Sequence, residues 1–180
     1  MRRLSKLALT VFCLLFMPLG NAVPFSDMYV FGDSLSDTGN AFILSGGMSS
    51  APPYSPVPAP PYATGRFSDG PVAAELVAEG LGLSLQPRAL GGTNYALGGA
   101  DTGLLSGPGF LSLLDQVALF QLDHGFNAPG DALYWIWGGG NDLRTGSPAA
   151  ARNAVSTLFN IVFTTAAPVT LSSRMHLTWA

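Results

Sequence analysis

Ser34 is the residue whose setting best suits a nucleophile. It lies in the decapeptide FGDSLSDTGN, Phe31–Asn40, directly after the short apolar run Met28-Tyr29-Val30-Phe31. That run reads as a buried strand, and Gly32, Asp33 and Ser34 then turn the chain. A serine on a tight turn at a strand's carboxyl end is exposed, and the next backbone N–H groups point the same way. An acyl-transfer site needs that geometry for its nucleophile and for part of an oxyanion hole. Asp and Ser are also ordinary turn and N-cap residues, so the triplet alone leaves a purely structural reading open. Asp33 and Asp37 invite comparison with a carboxylate pair for acid–base work. Beside a glycine turn they are expected instead to hold the loop by accepting backbone N–H bonds.

Two further segments follow in order, GGTNYALGGA at Gly91–Ala100 and GGGND at Gly138–Asp142. With FGDSLSDTGN they resemble blocks I, II and III of the GDSL-type lipases and esterases, also called SGNH hydrolases. GRFSDGPV at Gly65–Val72 is similar to a segment that the secreted bacterial and plant-like branch carries between blocks I and II. The resemblance runs from about Asp27 to Val162. It implies a serine ester hydrolase in which Ser34 is the nucleophile and its own N–H one oxyanion donor. Gly99 matches the glycine that gives a second N–H, with Gly98 the neighbouring candidate, and the Asn141 side-chain amide matches the third donor. The resemblance also implies a three-layer α/β/α fold with a central parallel sheet of flavodoxin-like type. It implies no cofactor or metal, and a small-molecule or lipid ester as substrate. The residue types suit these roles. Glycine lets backbone approach a ligand closely, and an Asn amide donates to a developing oxyanion while staying neutral.

The family's fourth block, an Asp-x-x-His pair carrying the base and its orienter, is not matched. Of the two histidines, His124 has Gln121 three residues before it and His176 has Ser173. His124 ends a predicted helix and reads as a cap or decoration there. No base for Ser34 is found. The family likeness also stops near Val162. Residues 163–180, FTTAAPVTLSSRMHLTWA, lack helix or strand period. Shifted by one base, the codons for Val169–Ala180 can encode R-Y-A-L-V-P-N-A-P-D-L-G, with only the alanine and the final glycine forced. The family has a strand of the type F-V-V-P-N-x-P-D-L-G at this point. A frameshifted tail, and a fold incomplete at its carboxyl end, are therefore expected; resequencing the gene across Asn160–Ala180 tests this.

The elements that must position these residues alternate between strand and helix. Ala41–Pro61 is a Pro/Ser/Gly-rich loop holding Tyr54 and Tyr62, as lid or surface residues. Pro71 starts a helix to about Gly80, with Val72, Leu76 and Val77 apolar and a stop at Gly80 or Gly82. Leu83–Leu85 reads as a short strand. Leu111–His124 is a helix with Leu114, Val117, Ala118 and Leu122 on one face. Ala132–Trp137, ALYWIW, is a buried strand that delivers Asn141 just past its carboxyl end. On it Trp135 and Trp137 are read as core or sheet-covering residues, with an acyl-pocket wall as the alternative. Asp142 is expected to do loop work, and Ala149–Val162 to be a helix. This order implies a parallel sheet covered on both faces. Ligands bind such sheets outside the carboxyl ends of the strands, where Ser34 and Asn141 fall.

Composition sets the bounds. The 180 residues are 48% hydrophobic with a mean hydropathy of +0.34, which suits a globular chain. Residues 1–22 read as a signal peptide: a basic start with Arg2, Arg3 and Lys6, an apolar run Leu7–Met17, and small residues Gly20-Asn21-Ala22 before the cut. The apolar run falls short of the ~20 residues that span a bilayer. The expected destination is periplasmic, cell-surface or extracellular. Residues 23–162 form the catalytic-type domain. Without the leader, five arginines face eleven acidic residues, a formal net charge of −6, with no lysine and no cysteine. Such acidity argues against nucleic acid as a partner. The mature part offers no membrane span, metal cluster or disulfide. GGGND lacks the Lys-Ser/Thr of a phosphate-binding loop, and Gly32–Ser36 does not fit the G-x-S-x-G elbow.

Overall fold

A computed structural model of the protein describes residues 25–48, 57–62, 65–103 and 111–144, together with Arg152 and Ser156. Strand β1 (Met28–Gly32) and strand β2 (Leu133–Trp137) pair in parallel, with Met28 opposite Leu133 and Gly32 opposite Trp137. Between them come helices α1 (Asn40–Ser45), α2 (Ala73–Gly80) and α3 (Leu113–Asp123), and the short α4 (Gly140–Arg144) follows β2. All five residues of β1 are buried. Its side chains alternate between two cores. Tyr29 and Phe31 pack with Leu113, Leu114, Val117 and Phe120 of α3. Met28 and Val30 pack with Val72, Ala74 and Ala78 at α2. A parallel sheet with a helix on each face is the expected three-layer α/β/α arrangement.

The far edge of β1 is lined by the chain around Asn94. Val30 N–H donates to Thr93 O at 3.1 Å, Tyr95 N–H to Val30 O at 2.8 Å and Leu97 N–H to Gly32 O at 3.0 Å. The expected strand at Leu83–Leu85 does not form. The Leu83 N–H is taken by Ala78 O at 2.8 Å, which closes the end of α2, and Gly82 stands at φ +72°. The only bridges on this side run from Asn94 to Val30 and to Pro87, among the described residues.

The helices sit where expected, with rotated faces. α2 begins at Ala73, and Val72 is its N-cap. Leu76 is exposed, while Ala74 and Ala78 meet the sheet, because two small residues let the helix approach closely. On α3, Leu114 and Val117 are buried as expected, but Ala118 and Leu122 face solvent. Leu113, Gln116 and Phe120 take their place. Ser112 and Asp115 cap α3 reciprocally, Asp115 N–H to Ser112 Oγ at 3.2 Å and Ser112 N–H to Asp115 Oδ2 at 2.9 Å. The supposed loop from Ala41 opens as helix α1, for a reason given below. The Ala149–Val162 helix lies outside the described residues except for Arg152 and Ser156, both helical and exposed. Tyr54, the leader and residues 163–180 also lie outside them.

Arg66, in GRFSDGPV, fixes the start of α2. Its Nε donates to Glu75 Oε2 at 2.7 Å, and the same oxygen accepts the Val72 N–H at 2.9 Å. Burial alone would raise the Glu75 pKa, but the Arg66 hydrogen bonds, the Val72 N–H and the Arg66 charge outweigh it and hold it below the ordinary 4.5. A depressed carboxyl stabilises the fold fully above its unfolded pKa and loses that contribution as pH falls through the folded one. In urea titrations the stability gap between wild type and Arg66→Ala is therefore expected to be widest above pH 4.5 and to close in acid. A gap that does not change with pH would contradict this.

Candidate active site

The turn after β1 is built by Asp33. Its carboxylate accepts the Leu35 N–H at 2.9 Å, and its carbonyl accepts the N–H groups of Ser36 and Asp37, both at 3.1 Å. Ser34 rides on this turn, half-buried. Gly32 permits it: a Cβ there would sit 2.8 Å from Trp137 O and 3.1 Å from Ser36 Cβ. The turn thus closes against the end of β2 at a distance only glycine allows. From the other side Gln116, fully buried on α3, grips the same residue. Its Oε1 accepts the Gly32 N–H at 2.8 Å and its Nε2 donates to Gly32 O at 2.9 Å.

Asp37 joins the first segment to the second. It is fully buried and accepts four backbone N–H bonds, from Gly39, Asn40, Ala41 and Gly98, at 2.7–3.1 Å. The first three start α1, which explains why a helix stands where the proline-rich composition points to a loop. Two asparagines add to the joint. Asn40 Nδ2 donates to Asn94 O and Ala96 O at 2.8 and 2.9 Å. Asn94 Nδ2 donates to Ser36 O and Thr38 Oγ1 at 2.7 and 3.0 Å. Trp135 Nε1 reaches Ser36 Oγ at 3.2 Å.

The third segment docks on the second. Asn141 Nδ2 donates to Ala100 O at 2.7 Å, and the buried Asp142 carboxylate accepts from Thr102 N–H and, at 2.7 Å, from Thr102 Oγ1. Gly99, one peptide before Ala100, has φ +85°, a conformation that favours glycine. A Cβ on Gly98 would collide with the Phe67 ring, and one on Gly140 would lie 3.9 Å from Asp33 Oδ2. Asn141 and Gly99 are therefore brought together directly through Ala100. The turn that carries Ser34 is linked to Gly98 by the Asp37 N–H to Asp33 O at 3.1 Å and the Gly98 N–H to Asp37 Oδ2 at 2.8 Å. Asp33, Asp37 and Asp142 do the loop-holding work expected of them. Burial raises the Asp33 pKa, against the pull of the Leu35 N–H and with help from the Asp142 charge. Burial also raises that of Asp37, against its four N–H donors.

His124 sits elsewhere. It is the C-cap of α3, as expected, with its ring 4.9 Å from Tyr29 and 4.5 Å from Phe120. Tyr29 lies five residues before Ser34, roughly 15 Å along a strand, so His124 belongs to the amino end of the sheet. His176 lies outside the described residues. Trp135 and Trp137 cover the sheet as expected, stacked with centroids 6.2 Å apart and rings 10° from parallel. They also line a cleft of about 300 Å³ with Leu35 and Phe67. A larger cavity of about 400 Å³ opens beside Asp27 and Leu83 and touches none of Ser34, Gly99 and Asn141. Sequence reasoning missed Gln116 and the Asn40–Asn94 joint. Both asparagines stand inside the motifs already singled out, and that was the available signal.

Residues 28–163 match the family described as GDSL-like lipase/acylhydrolase. The chain belongs to that family. The match takes in both strands and all three loop segments of this GDSL-like chain. Lipase 1 of Photorhabdus luminescens is 32% identical to it over 165 residues, 88% of this chain and 21% of that protein. Acetylajmalan esterase 2 of Rauvolfia serpentina is 43% identical over 88 residues, 43% of this chain and 24% of that protein. A GDSL esterase/lipase of Arabidopsis thaliana is 36% identical over 116 residues, 57% and 40% of the two chains. The GDSL-like chain thus spans between about a fifth and two fifths of these curated relatives.

Proposed function

We propose that this chain serves carboxylic ester hydrolysis with Ser34 as nucleophile. Ser34 Oγ attacks the ester carbonyl carbon and passes its proton to a solvent water, which returns it to the departing alkoxide. The carbonyl oxygen takes the negative charge. The Ser34 N–H, the Gly99 N–H and Asn141 Nδ2 are the donors assigned to it. The tetrahedral centre then expels the alcohol, leaving an acyl-Ser34 that water cleaves to the acid and free serine. The observation that supports this reading is the bond from Asn141 Nδ2 to Ala100 O, the residue after Gly99. Turnover of a short-chain nitrophenyl ester tests it: a rate above that of Ser34→Ala supports the assignment, and turnover well above trace that survives Ser34→Ala would remove it.

A second reading has its own support. The 180 residues contain no Asp-x-x-His, and His124 stands at the other end of the sheet. A non-catalytic remnant that binds ester-like ligands weakly would give equal trace rates for wild type and Ser34→Ala.

The relatives' names include lipase and esterase, so the substrate class proposed is a small-molecule or lipid ester, with no nucleic acid as partner. No described helix is long and apolar enough to cross a membrane. Export rests on the leader at residues 1–22. Protein recovered from a secreting host is expected to begin at Val23 on amino-terminal sequencing; an intact Met1 on exported material would refute the cut.

A further inference from the structure

Among the described residues, Gln116 is the largest polar side chain that is fully buried. Burying an amide is costly unless its bonds are met. Those of Gln116 go to backbone: Oε1 accepts the Gly32 N–H at 2.8 Å, and Nε2 donates to Gly32 O at 2.9 Å and to Leu111 O at 3.4 Å. One side chain thus holds the peptide groups on both sides of Gly32. Glycine is the residue whose two peptide planes are least restrained. No side chain can supply the restraint from within, because a Cβ at Gly32 would sit 2.8 Å from Trp137 O. It comes from α3 instead.

Gly32 O is also where the first two loop segments meet. It accepts the Leu97 N–H at 3.0 Å beside the bond from Gln116 Nε2. Ser34 stands two residues past Gly32, and Gly99 two residues past Leu97. Nucleophile and oxyanion glycine therefore diverge from one shared carbonyl. We propose that Gln116 is a positioning residue, which removes the freedom that Gly32 introduces and so fixes Ser34 Oγ relative to the Gly99 N–H. This rests on the proposed roles of Ser34 and Gly99. A displacement of about 1 Å between reacting groups can cost about 10²-fold in rate.

The test uses the full chain carrying Cys13→Ser and Ser34→Cys. Cys13 is the one native cysteine, so the new thiol is the only one. A thiolate attacks without a general base. Its acylation by nitrophenyl acetate develops an oxyanion, whereas its alkylation by iodoacetamide does not. The ratio of the two rates therefore reports alignment with the oxyanion donors, free of thiol ionisation and access. It should exceed that of N-acetylcysteinamide by about tenfold or more. Adding Gln116→Leu should lower it about tenfold or more with alkylation unchanged. Val117→Ala, which thins the same helix's core contact without touching Gly32, should leave it unchanged. Gln116→Glu should keep the ratio at about pH 6, where burial holds the carboxyl neutral and its O–H donates to Gly32 O, and lose it as the carboxyl ionises, at up to about pH 8–9. A ratio no higher than that of N-acetylcysteinamide overturns the donor assignment and this role together. A raised ratio that Gln116→Leu leaves unchanged, or a loss that Val117→Ala shares, overturns the role of Gln116 alone. Should Gln116→Leu not fold, a Gln116→Glu ratio that stays flat from about pH 6 to about pH 10 does the same.

Discussion

Asp37→Ala is expected to cost about 4 kcal/mol of stability, measured by urea unfolding. The side chain is fully buried and receives four backbone N–H bonds. Truncation strands those donors, and a buried unsatisfied donor costs roughly 1–3 kcal/mol. The four losses are coupled, so they do not add in full. Even so, the total is comparable to the lower end of a domain's stability of ~5–15 kcal/mol. The two oxygens divide the work. Oδ1 holds Gly39 and Asn40, which start α1, while Oδ2 holds Ala41 and Gly98. Asp37→Asn keeps one acceptor oxygen, so its loss should be about half that of Ala. A cost below about 1 kcal/mol for Asp37→Ala would mean that water replaces the carboxylate.

The second large effect concerns turnover. The 180-residue chain is expected to hydrolyse nitrophenyl acetate at trace rates, and His124→Ala to leave that rate unchanged. Oxyanion donors stabilise charge but do not take the Ser34 proton. Sites missing a triad member retain a rate ~10³–10⁴-fold above water, about 10⁶-fold below the intact arrangement in the best-measured case. His124 cannot fill the gap, because its ring packs on Tyr29 and Phe120 at the amino end of the sheet. Asn141→Ala should remove a further ~10²–10³-fold, the usual loss for one oxyanion donor. Robust turnover that disappears in His124→Ala would refute the placement of that ring. Robust turnover lost in His176→Ala would identify the base instead.

Both strands were legible because a buried parallel strand is a continuous apolar run, and Met28–Phe31 and Ala132–Trp137 are such runs. The loop-holding carboxylates were legible because their partners are local. What sequence did not show was long-range. Gln116 looks like a solvent residue until Gly32, 84 positions away, offers both a donor and an acceptor. Its burial turns the face of α3 and sends Leu122 into solvent. Asn40 and Asn94 likewise satisfy each other's segments across 54 positions. The α1 helix was hidden because composition counts prolines without registering a capping carboxylate upstream of them. At the site, the three loop segments could be placed from sequence. The bonds that seat Asn141 against Ala100 and Asp142 against Thr102 could not.

The pairing of β1 with β2 also has a consequence in time. Met28 meets Leu133, so the central contact of the sheet closes a loop of about a hundred residues. During synthesis at ~5–20 residues per second, β1 leaves the ribosome roughly 5–20 s before its neighbour exists. Throughout that interval the edge of β1 that receives β2 has no partner strand, although α2, the Asn94 segment and α3 emerge earlier. A nascent chain held open for so long is a natural client for holdase chaperones and stays threadable through a narrow pore.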